Sequence, residues 1–249
     1  MPSHKLKQAP LQEVIFELFW KLPTNEQGFA HDPGFELAQG VFASKIQPDF
    51  PVHKRLAAEF PLFFFRRPVH QFWKDELMWP VVQLGQGILA VNDTETNYVW
   101  ANNFQANIKK AVKALQHSYA GKFHLEIERA RLQYVDAVEF DPRKEIATSF
   151  IARNMNTILK NDYNLAGKPA DVHIAQTFNL KDNSTLQLSI QNGIKNQTGN
   201  PAIIWTTITE RSVGLNFKNL FAWLEFAHKT TSDTFVNMLN PDFYASFDR

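Results

Sequence analysis

Apolar residues recur along the chain with two periods, and the switches between them predict its elements. From Leu11 to Leu22 they alternate. Val14, Phe16, Leu18, Trp20 and Leu22 share one face and Glu13, Glu17 and Lys21 the other, the pattern of a half-buried strand. Ile15 and Phe19 stand on the polar face, which implies that this face is partly covered too. Asp32-Pro33 supplies a side-chain acceptor and then a proline, the chemistry of a helix start. A spacing of three and four follows through Phe35, Ala38, Phe42 and Ile46. Pro48 and Pro51 break that helix, and PLFFFRR (Pro61–Arg67) reads as a strand ended by charge. Pro80–Asn92 predicts two short strands meeting at Gly85-Gln86-Gly87. A long amphipathic helix comes next, with Phe104, Ile108, Val112, Leu115 and Tyr119 on one stripe and Lys109, Lys110 and Lys113 off it.

Gly121 falls just past this helix, where a left-handed residue closes many helices. Lys122–Asp141 is strand-like, but its apolar positions change phase. Phe123, Leu125 and Ile127 are odd-numbered, whereas Leu132, Tyr134, Val138 and Phe140 are even-numbered, which places a bulge or break within Glu128–Arg131. Asp141-Pro142 repeats the helix-start pair and predicts a helix to about Leu159, with Ile146, Phe150, Ile151, Met155 and Ile158 inward. Three strands follow, burying Val172, Ile174 and Phe178, then Leu186, Leu188 and Ile190, then Ile204, Thr206 and Ile208. Asn216 is placed to cap a last helix with the stripe Leu220, Leu224, Ala227, Thr231 and Phe235. Pro241 limits that helix and leaves an aromatic tail, PDFYASFDR.

Residues 11–119 and 122–240 thus read in the same order: strand, Asp-Pro helix, three strands, long helix. The expected fold is α+β, with two tandem β-α-β-β-β-α units over residues 1–120 and 121–249. Their antiparallel sheets carry long helices mainly on one face.

Composition narrows the function classes. The chain is 44% hydrophobic and 20% charged over 249 residues, a globular balance. A formal net charge of +1 offers no global pull on nucleic acid or anionic lipid. Without a single cysteine, thiol catalysis, Cys-ligated zinc and iron–sulfur clusters are excluded. No apolar run has the length of a membrane span, so a cytoplasmic location is expected. The eight histidines form no helical metal pair, and no cofactor is expected. Gly85-Gln86-Gly87 lacks the third glycine of a dinucleotide fingerprint and suits a hairpin turn better.

Two groups of residues remain as candidates. Glu126, Glu128, Arg129, Arg131, Tyr134, Asp136 and Glu139 crowd the phase change. Paired carboxylates such as Glu128 and Asp136 can perform acid–base work when their surroundings drive their pKa values apart. The competing reading is a solvated strand face with cross-strand ion pairs. Phe63-Phe64-Phe65-Arg66-Arg67, with Trp73 and Trp79, has the make-up of an aromatic–basic platform for single-stranded bases; its alternative is a buried strand guarded by arginines. His228, beside the last helix's stripe, reads as a packing anchor that needs a hydrogen-bond partner.

Three stretches resemble a family of uncharacterised, sporadically distributed prokaryotic proteins of similar length. They are the proline-led strand Pro10–Leu18 (PLQEVIFEL), Leu132–Asp136 (LQYVD) and the closing helix Leu224–Phe235 (LEFAHKTTSDTF). Gln133 and Asp136 depart from the Arg and Asn usual at their places. The resemblance implies an accessory role linked to mobile or defence genes and transfers no activity. Three functions follow in order of preference. The first is a non-enzymatic interaction protein with a protein partner. The second is a nucleic-acid or nucleotide-binding module using Arg66, Arg67, Arg129 and Arg131, and the third a hydrolase or lyase built near Glu128 and Asp136. The sequence leaves the oligomeric state open.

Overall fold

The computed structural model describes residues 6–24, 26, 28–56, 66–76, 78–96, 98–119, 125–159, 167, 169 and 171–248. Its strands are β1 (Leu11–Trp20), β2 (Val52–Arg55), β3 (His70–Asp75), β4 (Met78–Gly85), β5 (Ile88–Asp93), β6 (Ile127–Glu139), β7 (His173–Asn179), β8 (Ser184–Ile194) and β9 (Pro201–Arg211). The helices are α1 (Phe35–Ile46), α2 (Gln105–Ser118), α3 (Ala147–Asn154), α4 (Leu220–Met238) and α5 (Pro241–Ser246), and a π-helical turn at Trp100–Phe104 leads into α2. No helix among the described residues is long and apolar enough to cross a membrane.

The tandem arrangement expected from the sequence is overturned. The strands join one nine-stranded antiparallel sheet in the order β2-β3-β4-β5-β1-β6-β9-β8-β7. Element order alone does not show whether two meanders keep separate edges, and here β1 and β6 are hydrogen-bonded neighbours in mid-sheet. Joining them removes two edges that would otherwise expose unpaired backbone groups. A fourth strand, β2, follows α1 and has no expected counterpart in the second half. The helix expected over residues 141–159 is also shorter. Asp141 binds the Arg143 backbone and side chain in a local turn, α3 begins only at Ala147, and Ile158 is 93% exposed.

By contact density the chain divides into two compact units. One comprises Val14–Leu132 and Glu210–Leu224, and the other Met1–Glu13, Gln133–Thr209 and Glu225–Arg249. In the first, β4 and β5 turn through Gln86-Gly87, with Gly85 opposite Ile88 and Gly87 at φ +73°. A Cβ on Gly85 would lie 2.1 Å from the Arg67 carbonyl oxygen, so this close approach of two backbones needs glycine. Strand β5 is buried at every position, which means that both of its faces are covered. The predicted stripe of α2 is buried as expected, through Phe104, Ile108, Val112, Leu115 and Tyr119. Asp32 does not cap α1, whose N-cap is Gly34 with no side-chain bond; its carboxylate instead holds a buried network. One carboxyl oxygen accepts from the Gly34 amide at 3.0 Å, and the other from Trp20 Nε1 at 3.0 Å and the Tyr119 hydroxyl at 2.6 Å.

In the second unit the core gathers Phe150 and Ile151 of α3, Ile190 of β8, Ile203 and Trp205 of β9, and the end of α4. The aromatic tail becomes α5, whose Phe243 packs on Phe150 with ring centroids 5.8 Å apart. Strand β8 buries Leu186 and Ile190 as expected, but β9 turns its other face inward. Ile203, Trp205, Thr207 and Thr209 are buried, and Ile204, Thr206 and Ile208 are less so. Alternation fixes the period of a strand and not which of two mixed faces meets the core. Here the indole of Trp205, stacked on Phe235 of α4 at 6.3 Å, decides it.

Candidate functional site

Most charged residues of the first candidate group are neutralised by partners from outside it. On β6, Ile127 is buried and then Ala130 and Leu132, so the buried phase moves from odd to even numbers where the sequence places the change, and the strand remains unbroken. Arg129 and Arg131 consequently share the opposite face with Glu17 of β1 and Glu210 of β9. Arg131 donates through Nε to Glu210 at 3.0 Å and reaches Glu17 at 3.4 Å. Arg129 lies 3.9 Å from the same Glu210 carboxylate, with its guanidinium 4.2 Å above the Phe19 ring and its Nε buried without a hydrogen bond. Phe19, an apolar residue on the nominally polar face of β1, is thereby covered. Burial raises the pKa of Glu17 in spite of both arginines.

Arg66 is committed in the same way, to Glu128 at 2.6 Å. Arg67 is exposed, and its backbone abuts Gly85. Phe63, Phe64 and Phe65 lie outside the described residues. Trp73 is buried and packs edge-on against Trp79 at 5.3 Å, which gives it an interior role and not that of a stacking surface. Arginines that face carboxylates at these distances hold little charge in reserve for phosphates, since binding would first have to break the ion pairs.

Tyr134 and Asp136 belong to the second unit and point under α4. The Tyr134 hydroxyl and His228 Nδ1 are 2.9 Å apart, the partner that the sequence demanded of His228. Burial depresses His228 to a pKa of about 4, against the pull of Glu225 and Asp233, so at neutral pH the ring is uncharged. Asp136 is 6% exposed, and burial pushes its pKa up to about 7; the neighbouring Trp205 indole opposes this. That indole makes no hydrogen bond of good geometry, nor does the Thr209 hydroxyl on the same strand. The result is a short polar row inside an apolar core, with a carboxyl poised between its two protonation states. Glu128 spends its carboxylate on Arg66, so it is not available to Asp136 as a catalytic partner.

A third feature carries no charge at all. Strand β7 lies at one end of the sheet order and pairs with β8 from His173↔Gln191 to Asn179↔Thr185. Every residue from Ala175 to Asn179 is exposed, and Phe178 is 45% exposed. The strand at the other end, β2, is four residues long and carries His53, Lys54 and Arg55, the short, charged form that discourages further pairing. His53 there meets His70 at 3.0 Å, and His70 also meets Gln39 at 2.8 Å, a chain that ties β2 to β3 and α1.

Sequence reasoning found Glu128, Arg129, Arg131, Tyr134, Asp136 and His228, and missed Glu17, Glu210 and Trp205 as the partners that define what they do. Glu17 sits on the polar face of β1 and Glu210 near the end of β9, and only the strand order brings them to β6. No protein-family model matches this chain, and no curated protein matches it significantly.

Proposed function

We propose that this is a non-enzymatic interaction protein that docks a polypeptide partner by strand addition along β7. One observation carries this reading: β7 is an exposed, uncharged edge of seven residues, whereas β2 is short and basic. Natural sheets guard edges with lysine, proline, bulges or brevity, and an edge without such guards suits a strand-shaped partner. The pairing of the arginines with Glu17, Glu128 and Glu210 speaks for this reading over one based on nucleic acid.

The register supplies a clean test. Backbone bonds join Asn192 N to Val172 O and Leu180 N to Ser184 O, so even-numbered residues of this segment face β8. By alternation the amides of His173, Ala175, Thr177 and Asn179 face outward. Ala175→Pro therefore removes an outward donor and leaves the β7–β8 ladder intact. Affinity capture from the source cells with wild-type and Ala175→Pro baits checks it. Proteins bound by the wild type should be lost with the proline variant. Equal recovery by both baits would end the strand-addition reading.

A further inference from the structure

We infer that the occupant of this edge is a second copy of the same chain, its β7 running antiparallel about a two-fold axis at Gln176. The inference rests on the strand-addition reading above and names its partner. Its ground is that residues 171–181 are self-complementary about Gln176. In an antiparallel pair centred there, residue i faces residue 352 − i of the other copy. Ile174 then meets Phe178, the two apolar side chains of one face of β7, and Gln176 meets Gln176 between them. On the other face His173 meets Asn179 and Ala175 meets Thr177. Just beyond the strand ends Asp171 meets Lys181, and by symmetry Lys181 meets Asp171, so two opposite-charge pairs close the ladder. Asp171 and Lys181 are both exposed.

This register also satisfies the backbone. The residues whose amides and carbonyls point away from β8 are His173, Ala175, Thr177 and Asn179, and in this alignment they face only one another. That gives about eight inter-copy hydrogen bonds, two for each facing pair. A shift by one residue would set outward amides against residues already bonded to β8. A shift by two would leave Phe178 opposite Gln176 and break both charge pairs. The symmetry is isologous, so the pairing closes at two copies and does not propagate into a fibre. A single strand pair is a small interface, so the dimer forms in a concentration-dependent manner.

Cysteine cross-linking tests this directly, because the chain has no cysteine of its own. In a pair centred on Gln176 the two Gln176 Cα atoms lie about 4.5 Å apart, as in any non-hydrogen-bonded pair, within the reach of a disulfide. Two copies of Asn179 lie about 20 Å apart, six residues along the ladder. With a mild oxidant, Gln176→Cys should cross-link to a dimer and Asn179→Cys should not. Light scattering on the unoxidised wild type should show the mass rising from 28.7 kDa toward twice that value with concentration. Lys181→Asp should weaken the association at least several-fold, and adding Asp171→Lys should restore it. Circular dichroism of each variant confirms that it is folded. A wild type that stays monomeric at millimolar concentration, or a cross-link at Asn179 in place of Gln176, overturns self-pairing. In that case the strand-addition reading still stands if Ala175→Pro abolishes capture of other proteins, and falls with it if that variant captures them unchanged.

Discussion

Replacing Asp136 by asparagine should stabilise the protein, by an amount that depends on pH. The carboxyl titrates at 3.8 in an unfolded chain and at about 7 in its buried place beside Trp205. Its folded pKa is raised, so the stability available below pH 4 is lost as the pH rises toward 7 and the buried group must ionise. That gap, at about 1.4 kcal/mol per pH unit, makes the ionised form cost about 4 kcal/mol. Wild-type protein will not display this plainly, because His228 titrates in the opposite sense. Its pKa falls from 6.5 to about 4 on folding, so its contribution is present above pH 6.5 and lost on acidification. Between pH 4 and 6.5 the two slopes are similar and opposite, and in the wild type they largely cancel. Asp136→Asn keeps size and polarity and removes only the first. Urea denaturation followed by circular dichroism and by tryptophan fluorescence, at pH 4, 6 and 8, measures the difference. The variant should match the wild type at pH 4 and exceed it by up to about 4 kcal/mol at pH 8. Its own stability should climb with pH where that of the wild type is flat. A difference that does not change with pH, or one favouring the wild type at pH 8, would refute the reasoning.

Asp32→Ala removes a buried acceptor from Trp20, Tyr119 and the Gly34 amide and should cost about 3 kcal/mol or more; Tyr119→Phe, which deletes one donor, should cost about 1–2 kcal/mol. Denaturant titration that ranks them the other way would show that the network does not turn on Asp32. Arg131→Met leaves Glu17 and Glu210 without their closest cation and should destabilise by about 2 kcal/mol at pH 8. The loss should be smaller at pH 5, because the pKa of Glu17 is already raised and climbs further without the arginine. Adding Glu17→Gln should recover part of the loss, and a strictly additive double-mutant cycle would deny the coupling.

Much of the local structure was legible. The alternation of β1, the stripe of α2, the Gln86-Gly87 turn and the Asn216 side-chain cap on the Lys218 amide follow from short-range rules and hold. What failed was long-range. Nothing local says that β1 pairs with β6, so the tandem reading could not see one sheet. Nor does a strand with two mixed faces, such as β9, announce which side a distant helix will cover. The same blindness affected the candidate site. The arginines were visible, but the glutamates that neutralise them are distant in sequence: Glu17 lies 114 residues from Arg131 and Glu210 lies 79 residues from it.

The interleaved make-up of the two units bears on how the protein is born. Residues Met1–Glu13 belong with Gln133–Thr209, and Val14–Leu132 with Glu210–Leu224. At a synthesis rate of roughly 5–20 residues per second, the opening strand leaves the ribosome many seconds before its neighbour β6 exists. The nascent chain must therefore carry an apolar, half-made sheet through most of translation. A cut between β5 and β6 would free two fragments, each lacking strands that only the other can supply.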